Sequence, residues 1–217
     1  MDSRMRFKLL PAAVLSLTAA ALVIAGCTGG SSLNSTNTQT ATGSSFVIGT
    51  DAPMASVVSF SVPVESVTAT DSNNNTIQLV SGTPTVDFAR YNGLQTLLDM
   101  NDVPAGTYTS ISITLGTATI GYLQTAENTA PAIETLTATY PNSASTFTYT
   151  ETLANPLVVT SPTGSPVGLR VDLNLRKTIT VDSNGNILPA VTPTFKIDTV
   201  GPDDAGAVCV RRSTMQR

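Results

Sequence analysis

The amino-acid sequence predicts an all-β domain, an antiparallel β-sandwich of Greek-key type over residues 46–200, with one short helix at most. Three observations carry this. Short apolar alternations of period two recur from Phe46 onward; Gly, Pro and Asn turn residues separate them at even spacing; and only one window, NGLQTLLDM at 92–100, keeps a period near 3.6 residues. A barrel is the alternative closure for the same strands. Of the 217 residues 41% are hydrophobic and only 12% charged. Thr, Ser and Asn replace the missing charge, which suits strands better than helices.

Taken in order, residues 1–26 join a basic stub, MDSRMRFK, to the apolar run LLPAAVLSLTAAALVIAG, the layout of an export signal. A spanning helix needs about 20 apolar residues, and this run is short of that and broken by Pro11, Ser16 and Thr18. An uncleaved anchor is the alternative. Ile24-Ala25-Gly26-Cys27 resembles a bacterial lipobox, in which small residues let the chain lie extended in a peptidase cleft and only a thiol can form the lipid thioether. The resemblance implies that Cys27 is lipidated, becomes the new N-terminus and carries further acyl chains such as palmitate. Thr28, rather than Asp, implies sorting to the outer membrane. One acyl chain binds membranes marginally and two or three anchor stably. A modified Cys27 leaves Cys209 without a partner, so no intrachain disulfide is expected.

Residues 28–45, TGGSSLNSTNTQTATGSS, have no core-forming period and read, with Cys27, as a flexible tether spanning roughly 25 Å. In VSFSVPVESVTAT the apolar phase runs through Val58, Phe60, Val62 and Val64, then jumps to Val67 and Ala69, which predicts a bulge near Glu65 and Ser66. Pro63 lacks a ladder donor, so this strand is expected at an edge or broken there. Further strands are expected at TIQLV, TVDFA, ISITL, TATIGYL, ETLTATY, STFTYT, PLVVT, KTITV and TPTFKID. The clearest is VGLRVDLNL, with Val167, Leu169, Val171, Leu173 and Leu175 on one face and Gly168, Arg170, Asp172 and Asn174 on the other. SVTATDSNNNTIQLV (66–80) and TITVDSNGNILPAV (178–191) each read as a hairpin around an Asx-rich turn. Residues 201–217 show no alternation and are expected to be a loose tail.

Charge and composition exclude several function classes. The formal net charge is −4; setting residues 1–26 aside leaves eight bases against fourteen acids. No basic patch is left for nucleic acid, since Arg211, Arg212 and Arg217 are confined to the C-terminus. Without histidine there is no Ser-His-Asp or Cys-His arrangement and no His-based zinc site. Carboxylates remain for acid-base work, with Asp51, Asp87, Asp99 and Asp102 as the pool, although turn and cap roles account for them. DSNNN and DSNGN carry the Asp-x-Asn-x-Asn spacing of a calcium loop, but the position of the bidentate Glu falls on Gly82 and Pro193, and hairpin turns account for both. The row Arg170, Asp172, Asn174 and Arg176 reads as a solvent-facing strand face. Tyr91 and Tyr122 are the aromatic candidates for a sugar surface in a chain with no tryptophan.

Three blocks, GTDAPMASVVSFSVPVESVTA, DFARYNGLQTLLDMNDVPAGTYTSISITL and PVGLRVDLNLRKTITVDSNGNILPAVTPTF, together resemble the bacterial lipoprotein family described as domain of unknown function 4382. The resemblance spans nearly all of residues 46–197. It implies a secreted, lipid-anchored β-sandwich similar to transthyretin-like and carboxypeptidase-regulatory-like modules, and it implies no activity. The expected function is a lipid-anchored, non-catalytic envelope or surface module with a binding, adhesion or structural role, without a cofactor, and with a glycan or an envelope protein as partner class. The alternatives are a carbohydrate-binding accessory module or a carboxylate-dependent glycan-active enzyme, and a calcium-stabilised surface domain.

Overall fold

The computed structural model describes residues 40–52, 54–91, 94–124, 130–161, 164–201 and, for the backbone, 208–209. All fall within the unit Gln39–Arg217. In chain order the described strands are β1 (Thr42–Ala52), β2 (Val57–Asp71), β3 (Thr76–Gln78), β4 (Thr85–Asp87), β5 (Gln95–Pro104), β6 (Gly106–Leu115) and β7 (Thr119–Gln124). They continue as β8 (Ala132–Thr137), β9 (Phe147–Val159), β10 (Val167–Asn174), β11 (Ile179–Val181), β12 (Ile187–Val191), β13 (Phe195–Val200) and β14 (Val208–Cys209). One α-helical turn, α1 (Leu175–Thr178), lies between β10 and β11.

The strands form a sandwich. One sheet has the order β13-β10-β1-β5-β14; the other runs β8-β7-β2-β6-β9, with β3 and β4 also paired to β2, and β11-β12 is a separate ribbon. The first sheet is mixed. β1 pairs in parallel with β10 and β14 in parallel with β5, while β1–β5 and β10–β13 are antiparallel. Parallel neighbours need a long crossover, and the intervening chain from β2 to β9, which builds the other sheet, supplies it. Val208–Cys209, in the segment expected to be loose, thus pairs with Gln95–Thr96.

The alternations read from the sequence set the core. Phe60, Val62, Val64, Val67 and Ala69 of β2 and Ile111, Ile113 and Leu115 of β6 pack with Val47 of β1, Leu169, Val171 and Leu173 of β10 and Ile197 of β13. Each such side chain contributes roughly 1.5–3 kcal/mol on leaving water. The phase slip in β2 is a bulge: Val64 pairs with Leu115 and Ser66 with Thr114, leaving Glu65 unpaired and exposed. β2 is not an edge strand, however. Pro63 sits where the strand changes partners, from β7 along Val57–Ser61 to β6 along Val64–Asp71, and its carbonyl accepts from the Gly116 N–H. A residue without an N–H is tolerated at that changeover.

The helical window is overturned, since Gln95–Met100 belongs to β5. Val47 pairs with Asp99 and Ile48 with Leu97, so Leu98 is an extra residue inserted by a bulge. That insertion breaks the period of two, which made the segment look helical. STFTYT and PLVVT merge into the single strand β9, where the residues between Thr152 and Leu157 bulge out opposite β6. Among the described residues the one α-helical turn lies instead at α1, capped by the Asn174 side chain, which accepts from the Lys177 N–H at 3.1 Å.

Candidate functional site

Cys27, the lipidation candidate, lies outside the described residues. The expected absence of an intrachain disulfide turns on Cys27 and on the Cys209 side chain, and it lies outside them as well. Three of the four pooled carboxylates are spent on the fold. Asp87 accepts from the Phe60 N–H at 2.8 Å and faces Arg90 Nε at 3.3 Å. Asp99 Oδ2 accepts from the Ser81 N–H and Oγ, both at 2.6 Å, and from Asn101 Nδ2, while its Oδ1 accepts from the Met100 N–H. Partial burial works to raise the Asp99 pKa, but the hydrogen bonds from Ser81, Asn101 and Met100 together hold it below the usual carboxylate range. Asp102 accepts from Ser44 Oγ at 2.7 Å.

Asp51 differs. It is 4% exposed on the core-facing side of β1, and neither carboxyl oxygen has a hydrogen-bond partner. Burial, and then the charges of Asp172 and Asp87, push it up to about 7; the Leu175 N–H pulls the other way without meeting hydrogen-bond geometry. The fold thus brings Asp172 and Asp87 within electrostatic reach of Asp51. Among the described residues no group of three or more acids or cysteines is placed to hold a metal ion.

The two Asx-rich segments are hairpin turns of matching construction. Asp71 accepts from the N–H groups of Asn73 and Asn75 and from Asn75 Nδ2; Asp182 accepts from the N–H groups of Asn184 and Asn186 and from Asn186 Nδ2. The side-chain bonds from Asn75 and Asn186, followed by those backbone bonds, hold both carboxyls below their usual range. Both oxygens of each carboxylate are thereby committed to the turn itself. Gly185, at φ 85°, supplies the left-handed residue that this backbone needs.

The polar row on β10 is half-buried rather than open. Arg170 Nη2 meets Asp198 Oδ2 at 2.8 Å, and Lys196 Nζ reaches the same oxygen at 3.0 Å. Asp172 Oδ1 is buried without a partner, and burial raises its pKa against the pull of Lys196 and Arg170. Arg176 stands on α1, so the row ends at Asn174.

The remaining feature is a cleft that sequence reading did not find. The end of β7, the residue Ser56 ahead of β2 and the tip of the β11–β12 hairpin enclose a space of about 110 Å³, lined by Ser56, Tyr122, Gln124, Asn184 and Asn186 among others. None of its lining residues is charged. Tyr122 packs against the core, as does Tyr91, whose N–H closes the turn to the Phe88 carbonyl. Tyr122 had a sequence signal as one of few aromatics, and Asn184 and Asn186 as part of the DSNGN turn; what the sequence did not signal was that segments some sixty residues apart meet here.

No curated protein and no solved structure matches the chain. One family model does, over residues 43–188, from β1 into β12 and about two thirds of the length. The chain therefore belongs to the family described as Domain of unknown function (DUF4382).

Proposed function

We propose that this chain is an exported lipoprotein, lipidated at Cys27, which holds its β-sandwich at the bacterial outer membrane as a non-catalytic binding, adhesion or structural module. The observation that carries this is the order of features in one stretch: basic stub, apolar run, Ile24-Ala25-Gly26-Cys27, then the polar residues 28–45, the last four of which already belong to β1. The engagement of both carboxylate oxygens of Asp87 and of Asp99 in the bonding of turns and strands supports a non-catalytic role, because a general acid or base must be open to a substrate.

Detergent phase partitioning of the chain expressed in a bacterial host is the test. Wild type enters the detergent phase, and Cys27→Ala moves to the aqueous phase. A Cys27→Ala chain that still partitions with detergent would replace lipidation by an uncleaved apolar helix.

A further inference from the structure

We infer that the cleft between the end of β7 and the β11–β12 hairpin is a binding site for an uncharged saccharide ring. This deepens the binding reading above and rests on it, but it does not depend on the lipid.

Four side chains meet at the cleft with their hydrogen-bonding groups uncommitted: Ser56 Oγ, Tyr122 Oη and the amides of Gln124 and Asn184 make no hydrogen bond among the described residues. Asn186 uses only its Nδ2, donated to Asp182, which leaves its amide oxygen as a further acceptor. Hydroxyls and amides both donate and accept, as sugar hydroxyls do. With no cation in the lining an anion gains nothing, and with no carboxylate neither does an amine. Tyr122 adds a phenol whose ring is packed against the core, leaving its hydroxyl as the end that can meet a polar ligand.

One wall is also built in advance. Asp182 ties down the hairpin tip through the N–H groups of Asn184 and Asn186 and the Asn186 side chain, and Gly185 holds the left-handed bend, so the backbone of that wall and the Asn186 amide have little ordering left to do on binding. The space is too small for a drug-sized ligand, which occupies roughly 300–1,000 Å³. It suits one ring at the end of a chain, and a ring of about a dozen non-hydrogen atoms binds with Kd on the order of millimolar.

Saturation-transfer NMR on the full chain, held in a detergent without a sugar headgroup, tests this with glucose, galactose and N-acetylglucosamine beside glucosamine and glucose 6-phosphate. The neutral sugars give signals that saturate at millimolar concentration. Tyr122→Ala and, separately, Gln124→Ala cut these signals at least about fivefold; Gln124 lies at a strand end, and an unchanged melting curve for that variant separates lost binding from lost fold. The inference is overturned by no signal from any neutral sugar at about ten times that concentration, by signals that survive both variants, or by stronger signals from the two charged sugars. Any of these leaves the Cys27 fractionation result as it was, and failed anchoring leaves the sugar signal intact.

Discussion

Asp51 sits where a carboxylate is expensive: facing the core, without a donor, and beside two other acids. Its folded pKa of about 7 lies above the ordinary carboxylate value of 3.8. Below about pH 4 both folded and unfolded chains hold the proton. Between there and about 7 the unfolded chain has released it and the folded chain has not, so stability falls as pH rises through that window and levels off above it. The loss is on the order of 4 kcal/mol. Asp99 and Asp198, whose pKa values are lowered, act oppositely and lose their contribution as the solution is acidified. A comparison with Asp51→Asn isolates the single residue. The variant should match wild type near pH 3 and melt roughly 10 °C higher near pH 8, by thermal unfolding followed with circular dichroism.

Among the strands, legibility followed the strictness of the alternation. β10 was readable because Leu169, Val171 and Leu173 keep one phase with no interruption, and the slip in β2 was readable because Val64 and Val67 lie on either side of a visible gap. β5 was not, because the inserted Leu98 puts two leucines side by side, a pattern that a helix face or a bulged strand produces equally well. Gly168 shows what alternation conceals. It looked like one more polar-face residue, but the Phe46 ring from β1 lies over it, and an added Cβ would run into that ring and the Phe46 carbonyl. Gly168→Ala should therefore destabilise the domain by about 3 kcal/mol in urea unfolding, against an effect within about 0.5 kcal/mol for Ser112→Ala in β6, whose side chain lies on the outer, half-exposed face. The cleft was illegible for another reason. Its two walls meet only through tertiary packing: DSNGN announces a turn, and nothing in it or in β7 announces the other wall.

For the molecule as a whole, the alternations located most of the strands but not their partners. The parallel β1–β10 pair joins residues about 120 positions apart, and nothing in either strand announces the other. The family match also stops short of the structural unit, at residue 188, whereas β13 completes the first sheet by pairing Phe195–Val200 with Gly168–Leu173. A chain ending at Leu188 loses the buried side chains of Val191, Phe195, Ile197 and Val200. At roughly 1.5–3 kcal/mol each, that loss rivals the whole net stability of an ordinary domain, about 5–15 kcal/mol. The shortened chain should show no cooperative melting transition by calorimetry; a sharp transition would mean that the first sheet is stable without its β13 edge.

The position of β1 bears on how the domain meets mechanical force. This strand is the first of the fold and the middle one of its sheet, held by β10 on one side and β5 on the other. A pull directed along the strand axis ahead of Thr42 strains both rows of hydrogen bonds at once, instead of peeling one edge open bond by bond. With the chain held there, as the proposed lipid at Cys27 would hold it, resistance to such a pull is set by the height of an unfolding barrier rather than by equilibrium stability.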